Sequence, residues 1–388
     1  MIDFDTIIER RGTHSYKWDD PGQGRDVIPL WVADMDFPAP PAVTSALSAR
    51  AANPIYGYTF APEGLFQAFI RWHLRRNRWR VERDWVVPAP GVVPCLHYAV
   101  EAFTREGQGV VVQPPVYGPF FRAVEALGRR LTPNPLIRDG MRYRMNLEGL
   151  ETLLDGGVGL LILCSPHNPV ARVWDPEELL ALGNLCRDRG VVIVSDDIHS
   201  DLIMPGKTFT PLAALGEDLA ANSVTCSSPS KSFNIPGAGS AFAVIPDPEK
   251  RDAFRRAAER MGAMDMPNLF SAAAAEAAYR EGEEWLEEVK SYIWDNYLFL
   301  EDFCRRRLPD LRVHPLEGTY VVWIDFRGLG LSAREMDTAL RDARVRPSPG
   351  EIFGPGGEGF YRLNIACPRE LLRQGLERIA AAFPGTGK

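Results

Sequence analysis

The 388-residue chain has no excess of basic residues, no long apolar run and only six cysteines. Its formal net charge of −7, with no basic run, argues against nucleic acid as a partner. No apolar segment approaches the length of a membrane-spanning helix, so no membrane partner is expected. The first residues, Met1–Asp5, have neither the charge nor the apolar run of a signal peptide. We therefore expect a cytoplasmic protein.

The cysteines are scattered through the chain without the spacing of a metal site. In a chain of this length we expect buried free thiols rather than disulfides, and no metal. Hydrophobic residues make up 45% of the sequence and charged residues 24%, which is typical of globular proteins. The length exceeds that of one ordinary core and suits two closely packed domains.

Candidate strands and helices alternate from about residue 85 to residue 245. This alternation predicts a mostly parallel sheet with helices on both faces. Two apolar runs, Val158–Cys164 and Val191–Val194, have the composition of buried parallel strands. The expected fold class is therefore α/β. Downstream, one long helix is predicted from Ala272 to about Arg306, followed by a few further strands.

The most informative stretch is Ser228–Lys231, which directly follows a short buried-strand candidate at Asn222–Cys226. A lysine placed there suggests a covalent bond to an aldehyde cofactor, while Ser228, Ser230 and backbone N–H groups receive a phosphate. Pyridoxal phosphate (PLP) carries both groups. The simpler alternative is a surface lysine. A serine nucleophile of the penicillin-binding type is rejected because its partner motifs are missing.

Polar residues also follow the other strand candidates, at the sheet edge where α/β proteins bind ligands. Asp196 comes just after Val191–Val194, and an ionised aspartate beside a pyridine nitrogen keeps that nitrogen protonated. His199 would support Asp196 or touch the ring. This acidic stretch also fits a solvated turn or, more weakly, a metal site. Asn168, after Val158–Cys164, would donate to the phenolate oxygen of PLP.

Two further loops contain candidate cofactor contacts. Gly91 precedes a predicted helix from about Cys95 to Phe103, and the free amides at a helix start suit a phosphate. Tyr117 lies in a proline-rich loop and would stack on a cofactor ring, although such a tyrosine also fits simple packing.

These motifs occur in the order found in one family. From Pro29 to Pro368 the chain resembles the fold-type I PLP-dependent enzymes of aminotransferase class I/II. Within them it is most similar to the branch of cystathionine β-lyases and cysteine-conjugate C–S lyases. The matching stretches are Pro29–Phe37, Tyr56–Thr59, Ser195–His199, Ser228–Ile235, Ser348–Phe353 and Tyr361–Ala366.

The resemblance implies a fold and its division into domains. A large PLP-binding domain, residues 44–285, would contain a mostly parallel sheet sandwiched by helices. A smaller α+β domain would combine residues 1–43 with residues 286–388, because the N-terminal stretch packs with the C-terminal domain in similar enzymes.

The resemblance also implies how PLP is held. Lys231 would bind the cofactor covalently and, once displaced by a substrate amine, would remove the Cα proton. Asp196 would pair with the ring nitrogen, and Asn168 with the phenolate oxygen. The remaining contacts are assigned to Tyr117 and His199 at the ring, to Gly91, Val92, Ser228 and Ser230 at the phosphate, and to Tyr58 of the partner subunit.

The same resemblance assigns the substrate contacts. Arg362 would bind the substrate carboxylate as a planar fork, helped by Ala33 or Asn168. Tyr58 of the partner subunit would reach the same site, which implies a homodimer with shared active sites. Gly118 stands where relatives often have a bulkier residue, which predicts a wider pocket beside Tyr117.

The expected reaction is β-elimination from cystathionine or a cysteine S-conjugate, which gives a thiol, pyruvate and ammonia. Two differences from typical transaminases, His199 and Gly239, favour this reaction. The alternatives are an aminotransferase, or a specialised natural-product enzyme that acts on a cysteine conjugate, including by oxidative deamination. A catalytically silent regulator or metabolite-binding protein is a weaker alternative, since no helix-turn-helix extension is found.

Overall fold

The structure is a computed structural model that describes residues 2–263 and 267–384. Its strands are β1 (Ile28–Leu30), β2 (Val86–Ala89), β3 (Gly109–Val112), β4 (Arg130–Pro133), β5 (Ile137–Asp139), β6 (Arg142–Arg144), β7 (Val158–Cys164), β8 (Val192–Asp196), β9 (Ser223–Ser227), β10 (Ala241–Val244), β11 (Arg312–Val313), β12 (Val321–Asp325), β13 (Val345–Pro349) and β14 (Phe360–Asn364).

The α-helices are distributed along the whole chain. They are α1 (Pro41–Ala52), α2 (Glu63–Asn77), α3 (Val92–Phe103), α4 (Pro119–Glu125), α5 (Leu147–Leu154), α6 (Pro176–Asp188), α7 (Glu217–Ala221), α8 (Pro229–Ser232), α9 (Pro248–Arg260), α10 (Leu269–Glu281), α11 (Glu283–Arg307), α12 (Ala333–Asp342) and α13 (Arg369–Ala382).

A seven-stranded sheet forms the larger part of the fold, in the order β2-β10-β9-β8-β7-β3-β4. Strands β9, β8, β7, β3 and β4 pair in parallel, whereas β10 is antiparallel to both of its neighbours. Every residue of β7 is buried, as expected for a strand covered on both faces. The predicted mostly parallel sheet is confirmed.

A five-stranded sheet has the order β1-β13-β14-β12-β11. Strand β1 comes from the N-terminal stretch and pairs in parallel with β13 near the other end of the chain. This pairing supports a small domain built from both ends of the chain. The boundaries after residues 43 and 285 stay a prediction.

The prediction of one long helix from Ala272 to about Arg306 is wrong in one respect. This stretch forms two helices, α10 and α11, that meet at Gly282. A Cβ atom at Gly282 would lie 2.5 Å from the carbonyl oxygen of Ala278 and 2.6 Å from the ring of Phe233. The break therefore lets an aromatic ring pack directly against the backbone.

Two expectations drawn from composition can be compared with the structure. The six cysteines are all buried and free, as expected. None of the helices in the described ranges is both long and apolar enough to cross a membrane. The cytoplasmic location stays a prediction.

Candidate active site

The polar residues predicted at strand ends meet at one edge of the seven-stranded sheet. Strands β2, β3, β7, β8 and β9 point the same way, so their C-terminal ends line one edge. Ligands bind at this edge in open α/β sheets. The loops there carry Gly91 after β2, Tyr117 after β3, Asn168 after β7, His199 after β8 and Ser228 after β9, while Asp196 ends β8.

Lys231 lies on the one-turn helix α8, just beyond β9. Ser228 caps this helix, because its Oγ accepts a hydrogen bond from the Ser230 amide at 3.1 Å. The Lys231 amine donates to the carbonyl oxygen of Ala33. The Tyr320 hydroxyl donates to the same carbonyl at 2.8 Å. Burial lowers the pKa of Lys231 to about 8, so an appreciable fraction of the amine is neutral near pH 7.

Asp196 is a buried carboxylate, and the charge of the nearby Lys231 amine partly opposes the effect of burial on its pKa. Among the described residues it forms no ion pair, and it accepts a hydrogen bond from the Ile198 amide at 3.1 Å. Burial raises the pKa of Asp196 to about 7, because a carboxylate that lacks a partner is costly to ionise away from water. A protonated pyridine nitrogen would supply the missing charge, so this residue fits PLP.

Arg362 is a buried guanidinium, and the described part of the chain provides no carboxylate for it. Its Nη1 donates to Asn168 Oδ1 at 3.0 Å, and its Nη2 donates to the Trp31 carbonyl at 2.6 Å and to Ser348 Oγ at 3.2 Å. Burial lowers the pKa of Arg362 to about 10. A carboxylate bound here would compensate the charge through two parallel hydrogen bonds.

The residues predicted to bind phosphate come together farther along the edge. Ser228 Oγ lies 2.8 Å from Ser230 Oγ and donates to the Ser240 carbonyl at 2.6 Å. Ser240 directly precedes β10, whose first residue pairs with the last residue of β2. The two serines therefore lie near Gly91. Helix α3 begins at Val92 without a side-chain cap, which leaves its first amides for an anion.

The acidic turn after β8 is buried, so the solvated-turn alternative is wrong. Asp196, Asp197, His199 and Asp201 are each at most 5% exposed. Nδ1 of His199 has no hydrogen-bond partner within the described ranges, and its ring lies edge-on to Tyr320 with the centroids 5.8 Å apart. Burial lowers the pKa of His199 to about 3, so the ring is neutral. A neutral ring of this kind suits contact with an aromatic cofactor.

Tyr117 lies close enough to Asp196 and Arg362 for both charges to act on the pKa of its hydroxyl. Burial raises the pKa of its hydroxyl, and the nearby Asp196 carboxylate adds to this effect while Arg362 opposes it. The structure therefore brings Tyr117 to the side of the edge where Asp196 and Arg362 lie.

Gly118 does not widen the pocket as expected. A Cβ atom at this position would lie 3.1 Å from the carbonyl oxygen of Ile352. The amide of Val116 donates to the Phe353 carbonyl at 2.9 Å, which holds the two segments together. The backbone at Ile352 thus takes the space that the missing side chain leaves.

Tyr58 lies apart from this edge in the single chain. It belongs to the segment between α1 and α2, and 88% of its surface is exposed. Ile55, Tyr56 and Phe60 beside it are 75%, 57% and 84% exposed. The predicted role of Tyr58 therefore depends on a second subunit.

Segment 31–37 crosses the site and is held by asparagines that the sequence did not single out. Asn364 donates to the two carbonyls that flank Ala33, at 2.6 Å each. Asn234 donates to the Phe37 carbonyl at 2.7 Å. Both asparagines lie in stretches that match the family, and that match was the sequence signal that could have identified them. Tyr320 was not singled out from the sequence either.

An acid–base cluster (Arg10, Lys17, Asp34 and Asp36), of which Lys17 and Asp36 are buried and Arg10 and Asp34 are partly buried, anchors the same segment. Asp36 accepts hydrogen bonds from Arg10 at 2.6 Å, from Lys17 at 2.7 Å and from the Trp18 indole at 2.8 Å. Burial is the largest influence on the pKa of Asp36 and raises it. Lys17, Trp18 and Arg10 outweigh burial and hold this pKa below 3.8. Asp34 binds Arg10 at 2.7 Å and Lys17 at 3.5 Å.

The architecture is that of fold-type I PLP-dependent enzymes, and the expected fold class is confirmed. A family model described as "Aminotransferase class I and II" matches residues 25–379, so the chain belongs to that family.

Several relatives cover nearly the whole chain. Cystathionine beta-lyase PatB of Bacillus subtilis (strain 168) is 45% identical over 387 residues, which is 98% of this chain and 100% of that protein. Protein MalY of Escherichia coli (strain K12) is 30% identical and covers 99% of both chains. The crystal structure of cystalysin from Treponema denticola, described as containing PLP, has a TM-score of 0.95 at 35% identity, with 98% of both chains covered. The expected branch of the family is confirmed.

We expect Lys17→Met to lower the free energy of unfolding by about 3 kcal/mol, because it leaves the buried Asp36 carboxylate short of one cation. The low pKa of Asp36 means that its stabilising effect is complete above pH 5 and is lost as the pH falls below 3.8. The difference in free energy of unfolding between wild type and variant should therefore be constant from pH 8 to pH 5 and shrink at lower pH. Urea unfolding across this pH range measures that difference.

The matched control is Lys250→Met, whose lysine makes a surface ion pair with Asp247 at 3.8 Å. This change should lower the free energy of unfolding by less than about 1 kcal/mol. Equal effects of the two substitutions would contradict an anchoring role of the acid–base cluster.

Proposed function

We propose that the protein is a PLP-dependent carbon–sulfur β-lyase that converts a cysteine S-conjugate into a thiol, pyruvate and ammonia. The observation that carries the proposal is a set of three functional groups, two at the edge of the seven-stranded sheet and one on β14 of the five-stranded sheet, which reaches that edge through its hydrogen bond to Asn168. They are the Lys231 amine, the buried carboxylate of Asp196 and the buried guanidinium of Arg362. A pyridine aldehyde carrying an amino acid would satisfy all three.

The residues that would hold PLP occupy distinct parts of the edge. Asp196 would bind the ring nitrogen, and Tyr117 and His199 would contact the ring. Asn168 would donate from its Nδ2 to the phenolate oxygen, since its Oδ1 already accepts from Arg362. When bound, PLP withdraws electrons from the Cα of the attached amino acid. The phosphate would bind Gly91, Val92, Ser228 and Ser230.

Lys231 would move the protons of the reaction. As a neutral amine it takes the proton from Cα, and as an ammonium group it can pass a proton to the departing sulfur. The hydrogen bond to the Ala33 carbonyl uses one N–H of the amine and leaves its lone pair free. Arg362 fixes the substrate carboxylate, so the Cα–H bond can point towards Lys231.

The names of the relatives favour elimination over amino transfer. Both PatB, at 45% identity, and the structurally similar C–S lyase from Staphylococcus hominis, with a TM-score of 0.92 at 30% identity, are described by carbon–sulfur chemistry. A thiolate on Cβ is a good leaving group, so loss of the Cα proton leads to cleavage of the C–S bond.

We further propose a homodimer in which Tyr58 of the partner subunit completes each site. The exposed aromatic and aliphatic side chains of segment 55–60 support this proposal. Such apolar side chains next to one another on a surface mark an interaction site.

The first test compares wild-type protein with Lys231→Ala after incubation with PLP. Wild type should show the visible absorption band of the bound cofactor and release equal amounts of thiol and pyruvate from S-alkylcysteines. Lys231→Ala should lose the band and about 10³-fold or more of the activity. Because burial lowers the pKa of Lys231 to about 8, PLP uptake by cofactor-free protein should accelerate as the pH rises through 8.

Lys250→Ala is the matched control, because Lys250 pairs with Asp247 at the start of α9. It should behave as wild type. Amino transfer to a 2-oxo acid without thiol release would instead make the protein an aminotransferase. Oxygen uptake during turnover would indicate oxidative deamination.

Mixing two inactive variants tests the shared site. Tyr58→Ala and Lys231→Ala should each be defective alone, because each lacks one part of every site. A hybrid dimer contains one intact site, so an equal mixture that exchanges subunits should regain about a quarter of wild-type activity. No recovery despite verified subunit exchange would contradict the role of Tyr58, as would full activity of Tyr58→Ala.

A further inference from the structure

Lys231 lies on a helix that is too short to hold its own shape. Helix α8 is a single turn of four residues, Pro229–Ser232. An isolated turn is unstable in water, because fixing its backbone costs more free energy than its few hydrogen bonds return. The direction in which the Lys231 side chain leaves α8 therefore depends on what the rest of the chain does to this turn.

Ser232, the neighbour of Lys231, joins α8 to helix α2. Its side chain is fully buried, and its Oγ donates to Asp201 Oδ2 at 2.8 Å. Asp201 Oδ1 accepts from the Trp72 indole at 2.9 Å. The Trp72 ring also packs edge-on against Phe233, the residue after α8, with the centroids 5.4 Å apart. We call the three hydrogen-bonded side chains the Trp72–Asp201–Ser232 link.

The acid in the middle of this link is costly to bury. Asp201 is 5% exposed and forms no ion pair within the described residues. Burial raises its pKa, although the hydrogen bonds from Ser232 and Trp72 and the charges of Arg76 and Lys290 oppose this effect. A buried carboxylate without an ion pair contributes little to stability or reduces it. Stability alone therefore does not account for an acid at this position.

The link is separate from the group assigned to the substrate carboxylate. Arg362 lies on β14 of the five-stranded sheet, and its side chain donates to Asn168, Trp31 and Ser348. None of these partners belongs to α8. Loss of the link should therefore disturb the lysine and leave binding of the substrate carboxylate intact.

We propose that Asp201 is a positioning residue for Lys231. Its carboxylate fixes Ser232, Trp72 fixes the carboxylate, and the turn between them directs the lysine amine towards the reacting atoms. Proton transfer depends steeply on such placement. The role in catalysis rests on the proposed lyase function, whereas the placement of α8 can be measured on cofactor-free protein.

The first experiment compares amide hydrogen exchange in cofactor-free wild type and Ser232→Ala. The amides of Phe233 and Ile235 donate to the Pro229 and Ser230 carbonyls at 3.0 Å each. Without the link, peptides that cover residues 229–235 should exchange about tenfold faster or more, because the turn opens locally. Peptides from the buried strand β7 should be unchanged.

The matched control is Ser223→Ala. Ser223 is also a buried serine whose hydroxyl donates to a backbone carbonyl, that of Ala220 at 3.3 Å, but it lies outside the link. Exchange in residues 229–235 should stay as in wild type.

The second experiment follows the lysine amine itself. Cofactor-free Ser232→Ala should take up PLP about tenfold more slowly than wild type, because the same amine must attack the aldehyde. Once loaded, it should eliminate thiol from S-methyl-L-cysteine with a kcat lowered about tenfold or more per bound PLP. KM should change less than about threefold, since Arg362 is not touched.

Two substitutions at Asp201 separate the hydrogen bonds from the charge. In Asp201→Asn the amide oxygen can accept from Trp72, and the amide nitrogen can donate to Ser232 Oγ. This variant should keep PLP uptake and kcat within about threefold of wild type. Asp201→Ala breaks both hydrogen bonds and should behave like Ser232→Ala.

Each outcome supports or overturns one step. Unchanged exchange in Ser232→Ala would overturn the link. Faster exchange with unchanged PLP uptake and unchanged kcat would overturn the positioning role while the lyase function stands. Equal losses in Asp201→Asn and Asp201→Ala would overturn the hydrogen-bonded basis of the link. If wild type releases no thiol, the lyase function fails, and exchange and PLP uptake still decide the proposal. If Asp201→Ala does not fold, Ser232→Ala and Asp201→Asn decide it.

Discussion

The rest of the site depends on how segment 31–37 is fixed against the sheet edge. Asp36 anchors this segment through hydrogen bonds from Lys17 and Arg10, while Asn364 donates hydrogen bonds to the carbonyls on either side of Ala33. Two carbonyls of this segment then serve the site directly. The Trp31 carbonyl accepts from Arg362, and that of Ala33 accepts from Lys231. A backbone segment between the two sheets therefore sets the distance between the amine and the carboxylate-binding group.

The charges of the site are arranged in two different ways. Around Asp36, acids and bases neutralise each other within the chain, and the pKa of Asp36 is low despite its burial. Asp196 at the sheet edge and Arg362 on β14 are buried and form no ion pair within the described residues, so burial raises the pKa of Asp196 to about 7 and lowers that of Arg362 to about 10. Such unpaired burial destabilises a protein, and a ligand that supplies the missing charges recovers the loss. The site is therefore built to bind a molecule that carries both charges.

The local pattern of the sequence was sufficient to predict much of the fold and part of the site. The run Val158–Cys164 is strand β7, a short apolar stretch of the kind found in parallel strands that are buried on both faces. Lys231 and Asp196 were found because they directly follow such strands. Tyr320, 287 residues from its acceptor Ala33, could not be found this way. The break at Gly282 and the filled space beside Gly118 also depend on contacts between distant segments, which no local pattern contains.

The most direct measurement of the central claim is chemical mapping of the lysine. Borohydride makes the bond between PLP and its lysine permanent, and peptide mass spectrometry then locates the added group. The account predicts one modified residue per chain, Lys231, and no modification when borohydride is omitted. Modification at another lysine, or none after saturation with PLP, would contradict the assignment of this sheet edge as the cofactor site.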